Sequence, residues 1–452
     1  MSILKKISLL IAAVLSSCAG TNSLQQSYVK HPDWSKNVGI YEVNIRQYTP
    51  EGTFKAFEKH LPELKKLGVG VLWLMPINPI GIKDRKGKLG SYYSVKNYKK
   101  VNPEFGTLAD FKELVNKIHE MGMHVIIDWV ANHTAWDNIW ASEHPEFYTK
   151  DANGNFVPPV ADWSDVIDLN YNNKLLWKYM VDAMKYWVTE TNIDGFRCDV
   201  AAMVPTEFWN YARKELDNTK PVFMLAEANE PELQIHAFDM TYNWQLKDLM
   251  NKIAKGKATA EDIAKLYSAQ QKKYSPNDYR MNFTTNHDEN TWNGTVYERL
   301  GNGAKCFSVL TFMLPGMPLL YSGQEYGLNK RLSFFGKDTI KIQKGKLFPL
   351  YSELYKLKTN NAVLWNGLKG GGIKFVKNNK SKNVIVFTRG KENIEFLSIL
   401  NLSEKESEVN FNNKKIYGFY RDIFTNKEFK ILKGTKFKLK PWKYLILQKK
   451  YE

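Results

Sequence analysis

One pattern limits this chain more than any other. An apolar run of strand length ends in a polar residue, a helical run follows, and the unit repeats from residue 38 to residue 325. The runs are VGIYEVNIRQY (38–48), VGVLWLMP (69–76), MHVIID (123–128), IDGFRC (193–198), PVFMLAE (221–227), IHAFDM (235–240), RMNFTTNHDE (280–289) and MPLLYSGQE (317–325). Between them, Phe54, Phe57, Leu61, Leu64 and Leu67 give a helix stopped by Gly68. Phe111, Leu114, Val115, Ile118 and Met121 give another, stopped by Gly122, and a third spans 175–190. Strands alternating with helices build parallel sheets through right-handed crossovers, and eight such strands suit a (β/α)8 TIM barrel. An open doubly wound sheet would carry a glycine-rich phosphate loop at its first turn, and none is present.

In such a barrel the active site is built after the C-terminal ends of the strands. Asp128, Asp199, Glu227 and Asp288 would all point there. In a strand, Arg197 and Asp199 share a face, and the cation predicts an ionised aspartate of depressed pKa, suited to a nucleophile. A structural ion pair would look the same in that stretch alone. Glu227 follows the apolar run VFMLA, where desolvation would raise its pKa and let it donate a proton. Two carboxyls about 5 to 5.5 Å apart, one ionised and one protonated, are what retaining glycoside cleavage needs. His287 and Asp288 would grip and stabilise the ring. Each acid taken singly also fits an N-cap or a surface charge.

The rhythm breaks between Trp129 and Asn170, an excursion read as a small inserted subdomain after strand 3. After Gly370, Gly371 and Gly372 the texture changes to short runs, IKFV, NVIVFT, IEFLSIL, KIYGFY and KYLILQ, which predict an antiparallel β-sandwich domain over 366–452. The catalytic barrel is assigned to 38–365, with 129–170 inserted. At the N-terminus Lys5 and Lys6 precede the apolar run Ile7 to Leu15 and then Ser16, Ser17 and Cys18. The apolar run is too short to span a bilayer. Residues 1–17 are read as a signal peptide and 18–37 as an anchor linker.

Only Cys198 and Cys306 remain after Cys18, so no disulfide framework is expected and both are read as buried small hydrophobes. The formal charge of +17 would suit nucleic acid, but only nine of the 64 basic residues are Arg and the lysines are scattered. Nucleic acid is excluded as a partner on that ground.

The motifs together resemble the α-amylase family of retaining (β/α)8 glycosidases acting on α-glucans. DWVANH (128–133), GFRCD (195–199), LAE (225–227) and NHDE (286–289) look like the family's four motifs. IDLN (167–170) is similar to the one closing its B subdomain, and YSGQE (321–325) to the one after strand eight. The resemblance implies Asp199 as nucleophile, Glu227 as acid/base and Asp288 as transition-state stabiliser, with Tyr93, His133, Arg197 and His287 contacting the reacting sugar. LSSC resembles the bacterial lipobox, which implies lipidation at Cys18, membrane attachment through the anchor alone, and a place in the cell envelope.

Three departures stand out. Asn97 replaces the usual Asp four residues after Tyr93, loosening a support of that ring. Ala202 and Met203 replace a Lys-His pair, removing a substrate contact. Asn132 and Asp168 match two ligands of a structural calcium, which the resemblance makes possible; Met203 stands where the family has the His whose backbone carbonyl contributes, a position whose own backbone oxygen can still serve. No cofactor is needed for the chemistry. The expected activity is hydrolysis of α-1,4 bonds in starch or malto-oligosaccharides by double displacement. The alternatives are an α-glucosidase, a maltogenic or pullulan-cutting enzyme, a glucanotransferase, or a non-catalytic glucan-binding lipoprotein. Trp136, Trp140, Trp163, Trp244 and Trp292 are candidate stacking platforms or core aromatics.

Overall fold

The computed structural model describes residues 26–450 apart from 344 and 346. The signal peptide and Cys18 lie outside the described residues. Ten strands belong to the first part of the chain: β1 (Ile40–Val43), β2 (Val71–Leu74), β3 (His124–Trp129), β4 (His133–Ala135), β5 (Val166–Asp168), β6 (Gly195–Cys198), β7 (Phe223–Ala226), β8 (Met240–Tyr242), β9 (Tyr279–Asn282) and β10 (Met317–Tyr321). Eight of them close into a parallel barrel in the order β1-β10-β9-β8-β7-β6-β3-β2, while β4 and β5 pair antiparallel inside the insertion. Ile40, Val71, Trp73, Ile126, Phe223 and Leu225 fill the barrel interior, as its alternating inward positions require. Helices Leu108–Glu120 and Lys174–Thr191 lay their apolar stripes on the outside.

Three strand expectations are corrected. The first strand stops at Val43, and Ile45–Tyr48 is a helical turn that brings Gln47 to the carbonyl of Ser333 and Arg46 to that of Gly90. The sixth strand is Met240–Tyr242, because Leu233–His236 turns as a short helix. The seventh ends at Asn282, so His287 and Asp288 stand on the loop beyond it, just before a π-helical turn at Glu289–Asn293. Of the segment expected to link an anchor, residues 27–37 are held on the barrel's N-terminal rim. Tyr28 N donates to Ile235 O at 2.8 Å, and Trp34 stacks on His124 at 4.1 Å.

The C-terminal part holds β11 (Gly372–Phe375), β12 (Val384–Lys391), β13 (Ile394–Asn401), β14 (Ser407–Asn410), β15 (Gly418–Asp422), β16 (Glu428–Ile431), β17 (Lys436–Leu439) and β18 (Tyr444–Lys450). Six form a sheet in the order β11-β12-β13-β18-β15-β16, and β14 pairs with β17. Alternation along β12 gives the sheet two apolar faces. Ile385 and Phe387 join the core shared with the barrel, and Val384 and Val386 join a second core with Val409 and Phe437. Buried Arg389 fastens the junction by donating to the carbonyls of Gly371, Met313 and Leu314. No helix among the described residues is long and apolar enough to cross a membrane.

Candidate active site

The site begins with how the chain enters β6. Asn192 ends the preceding helix in the left-handed conformation (φ 58°), and Gly195 follows at φ +153°. A Cβ on Gly195 would lie 1.8 Å from the carbonyl oxygen of Phe223, so only glycine allows β6 to pair with β7. That pairing puts Asp199 and Glu227 one residue past the ends of adjacent strands. Between Asp199 and Ala201, Val200 is held at φ 35°, a region that costs a β-branched residue about 1–3 kcal/mol. The strained residue has a function at hand: its N–H donates to Glu227 Oε2 at 2.8 Å.

Arg197 is the hub. Its side chain is fully buried, with Nη1 2.8 Å from Asp128 Oδ1 and 2.9 Å from Asp199 Oδ1, and Nε donating to Tyr242 Oη at 3.2 Å. Its Nη2 approaches Glu227 Oε2 to 2.7 Å, an ion pair without hydrogen-bond alignment. A second chain of contacts runs beside it. His287 Nδ1 meets Glu42 Oε1 at 2.5 Å, His287 Nε2 meets Tyr93 Oη at 2.8 Å and Asp288 Oδ2 at 3.3 Å, and Tyr93 donates to Asp128 Oδ2 at 3.1 Å. Five carboxyls thus share two cations.

Burial raises the pKa of Glu42, Asp128, Asp199 and Glu227 against the pull of Arg197. For Glu227 this is the expected direction. For Asp199 it corrects the expectation of a depressed value, because one guanidinium divided among three carboxylates cannot offset burial and like charge. Burial lowers the His287 pKa, but the charges of Asp288 and Glu42 outweigh it and push the value up to about 9. His287 is therefore a cation at neutral pH. His133, buried without such partners, falls to about 3 and is neutral.

A cavity of about 580 Å³ opens above this cluster, lined by Tyr93, His133, Asp199, Glu227, His287 and Asp288 among others. Every residue expected to touch the sugar lines it except Arg197, which lies beneath with Asp128. Trp163 and Trp292 also line it. Trp140 is core, packed on Tyr98 and Phe147; Trp244 stacks on Tyr242, and Trp136 donates to Ser164 O. Asn97 does not leave Tyr93 loose, since Asp128, His287 and the stacked ring of Phe334 hold it. Glu42 was missed in the sequence; the signal was a lone acid inside the apolar run of β1. Cys198 and Cys306 are buried and unpaired.

The calcium pair is weaker. Asp168 accepts from Thr149 Oγ1 at 2.6 Å, and Asn132 Nδ2 meets His133 Nδ1 at 3.2 Å. No group of three His, Cys, Asp or Glu among the described residues could hold a metal, whereas calcium takes six to eight oxygens. That donor set does not by itself build a calcium shell.

The catalytic-domain model of the α-amylase family matches residues 21–163 and 160–347. The chain belongs to the α-amylase family. Among solved structures, it superimposes on a noncanonic maltogenic α-amylase of Thermotoga neapolitana with a TM-score of 0.85 and 32% identity, covering 93% of this chain and 100% of that one. An α-amylase of Lactobacillus plantarum gives 0.83 and 32%, covering 92% and 99%. Among curated relatives, an α-amylase of Dictyoglomus thermophilum is 24% identical over 446 residues, covering 87% of this chain and 73% of that protein. This α-amylase family member is thus a glycoside hydrolase, and a purely sugar-binding role is set aside.

Proposed function

We propose that the chain hydrolyses α-1,4-glucosidic bonds of starch or malto-oligosaccharides by double displacement. The observation that carries the reading is that one guanidinium, Arg197, contacts both Asp199 and Glu227 beneath a single sugar-sized cavity. Glu227, whose pKa burial raises, gives its proton to the glycosidic oxygen as Asp199 attacks the anomeric carbon. Asp199 attacks in its ionised form, with Arg197 Nη1 2.9 Å from its Oδ1. Water next gives its proton to Glu227 and displaces Asp199. Asp288 and the ring of Tyr93 face the positive charge that develops on the sugar, and Arg197 holds the nucleophile's charge in place. Reducing-sugar release from starch tests the reading: the wild type releases sugar and Asp199→Asn does not. No release by either protein would overturn it.

The lipobox reading makes the enzyme a lipid-anchored protein of the cell envelope. Metabolic labelling with an alkyne fatty acid should tag the wild type and not Cys18→Ala. Structural calcium at Asn132 and Asp168 remains a proposal about stability alone, with no step of the chemistry routed through it.

A further inference from the structure

One side of the cavity carries a continuous wall. Three segments distant in sequence interlock there: the loop 81–90 after β2, residues 162–165 of the insertion, and the loop 333–336 after β10. Lys86 Nζ reaches across to Asp165 Oδ1 at 3.3 Å and donates to the carbonyl of Asp162. Its neighbour Gly87, at φ +65°, lies so close to the next segment that an added Cβ would stand 2.5 Å from the Cβ of Phe335, and Leu89 N donates to Phe335 O at 3.0 Å. Phe334 stacks over Tyr93 and packs on Trp292 at 5.2 Å, carrying the wall down to the reacting ring. The lysine loop is itself braced: Arg85 Nε donates to Gly81 O at 2.7 Å, and Ile82 N donates to Asp137.

The barrel order says which end of a glucan this wall faces. Glu227 follows β7, and β1 stands four strands from β7 in either direction, so it is diametrically opposite. The loops after β2 and β10, which flank β1, therefore stand across the cavity from the proton donor. An acid protonates the oxygen of the departing chain, so that chain leaves on the side of Glu227. The retained part of the substrate runs the other way, into the wall. On the side of Glu227 the lining residues from the loops after β6 and β7 are Asp199, Val200 and Glu227 alone, and Met203 beyond them is 45% exposed. A volume of about 580 Å³ is within the range of small-ligand pockets.

We infer that the Lys86 strap and the Phe334–Phe335 wall make this a chain-end enzyme, which takes the non-reducing terminus of an α-glucan and releases a short unit from it. The inference rests on the proposed hydrolysis and adds which bonds are reached. Lys86 is a specificity-determining residue that closes the pocket and touches no reacting atom. Its ion pair is partly exposed and adds little to the stability of the fold, so what it contributes is the shape of the pocket.

The test compares p-nitrophenyl maltoheptaoside with the same compound blocked at its non-reducing end by an ethylidene group. The wild type is expected to cut the free compound at least 100-fold faster, in kcat/KM, than the blocked one. Lys86→Ala, and the double variant with Phe335→Ala, should shrink that ratio at least tenfold, with circular dichroism and Tm reporting that each remains folded. Lys86→Gln, which keeps length and polarity, should shrink it less. Equal cutting of both compounds by the wild type would overturn the inference while leaving the hydrolysis intact. Failure to cut either would instead overturn the hydrolysis.

Discussion

The two rims of the barrel bury charge in opposite ways. On the N-terminal rim two buried acids, Asp194 and Asp239, are each matched. Asp194 takes His119 Nε2 at 2.7 Å, Lys220 Nζ at 3.1 Å and the N–H of Val125 at 2.9 Å. Asp239 takes Arg213 Nη1 and His31 Nδ1, each at 2.8 Å, and the N–H of Met224 at 2.7 Å. Burial alone would raise the Asp194 carboxyl, yet the hydrogen bonds of His119 and His124 and the charge of Lys220 pull it below the usual carboxylate range. On the C-terminal rim five carboxyls share two cations, and burial raises four of them. The first rim is arranged for stability. The second carries an excess of negative charge that stability does not need and that cleavage of a glycoside does.

The contrast breaks first, and furthest, at Asp199. Asp199→Asn should lower kcat on maltotriose by about 10⁴-fold or more, yet relieve like-charge crowding and raise stability by about 1 kcal/mol. A loss of stability in a urea melt would mean the mouth is a structural cluster like the rim below. Glu227→Gln should cost about 10²–10⁴-fold in kcat, the span of general acid catalysis. Arg213→Ala should do the reverse, costing about 3–5 kcal/mol by stranding Asp239 while kcat per folded molecule stays at the wild-type value.

pH sharpens the same comparison. The folded-state pKa of His287, about 9, lies above its unfolded value, so its contribution is full below about 6.5 and is lost as pH rises through about 9. Asp194 has a depressed pKa, so its contribution is present above about 3.9 and is lost on acidification below that. Tm against pH should therefore lose its alkaline limb in His287→Asn and its acid limb in Asp194→Asn. Removal of calcium by a chelator should shift Tm least, given one carboxylate already bound to Thr149. A fall of more than about 4 °C, the equivalent of about 1 kcal/mol or more, would restore the ion to the fold.

Much of this was legible in the sequence, and for physical reasons. Apolar runs closed by Gly68 and Gly122 announce strands and helices locally, so the barrel and the acids at its strand ends could be read directly. The seventh strand was overextended because Phe283, Thr284 and Thr285 keep the residue types of a strand, while Asn282 spends its side-chain amide on the carbonyls of Thr311 and Pro315 as the ladder ends. Glu42 and the raised carboxyl of Asp199 were not legible. Both depend on neighbours far along the chain, and the same holds for Lys86, whose partner stands 79 positions away.

The central claim is that Asp199 becomes covalently bound to sugar. The direct measurement is peptide mapping by mass spectrometry after incubation with 5-fluoro-α-glucosyl fluoride, whose intermediate turns over slowly. One glucosyl adduct is expected, on the peptide bearing Asp199. An adduct on Asp128, Glu227 or Asp288, or none while the substrate is consumed, would contradict it.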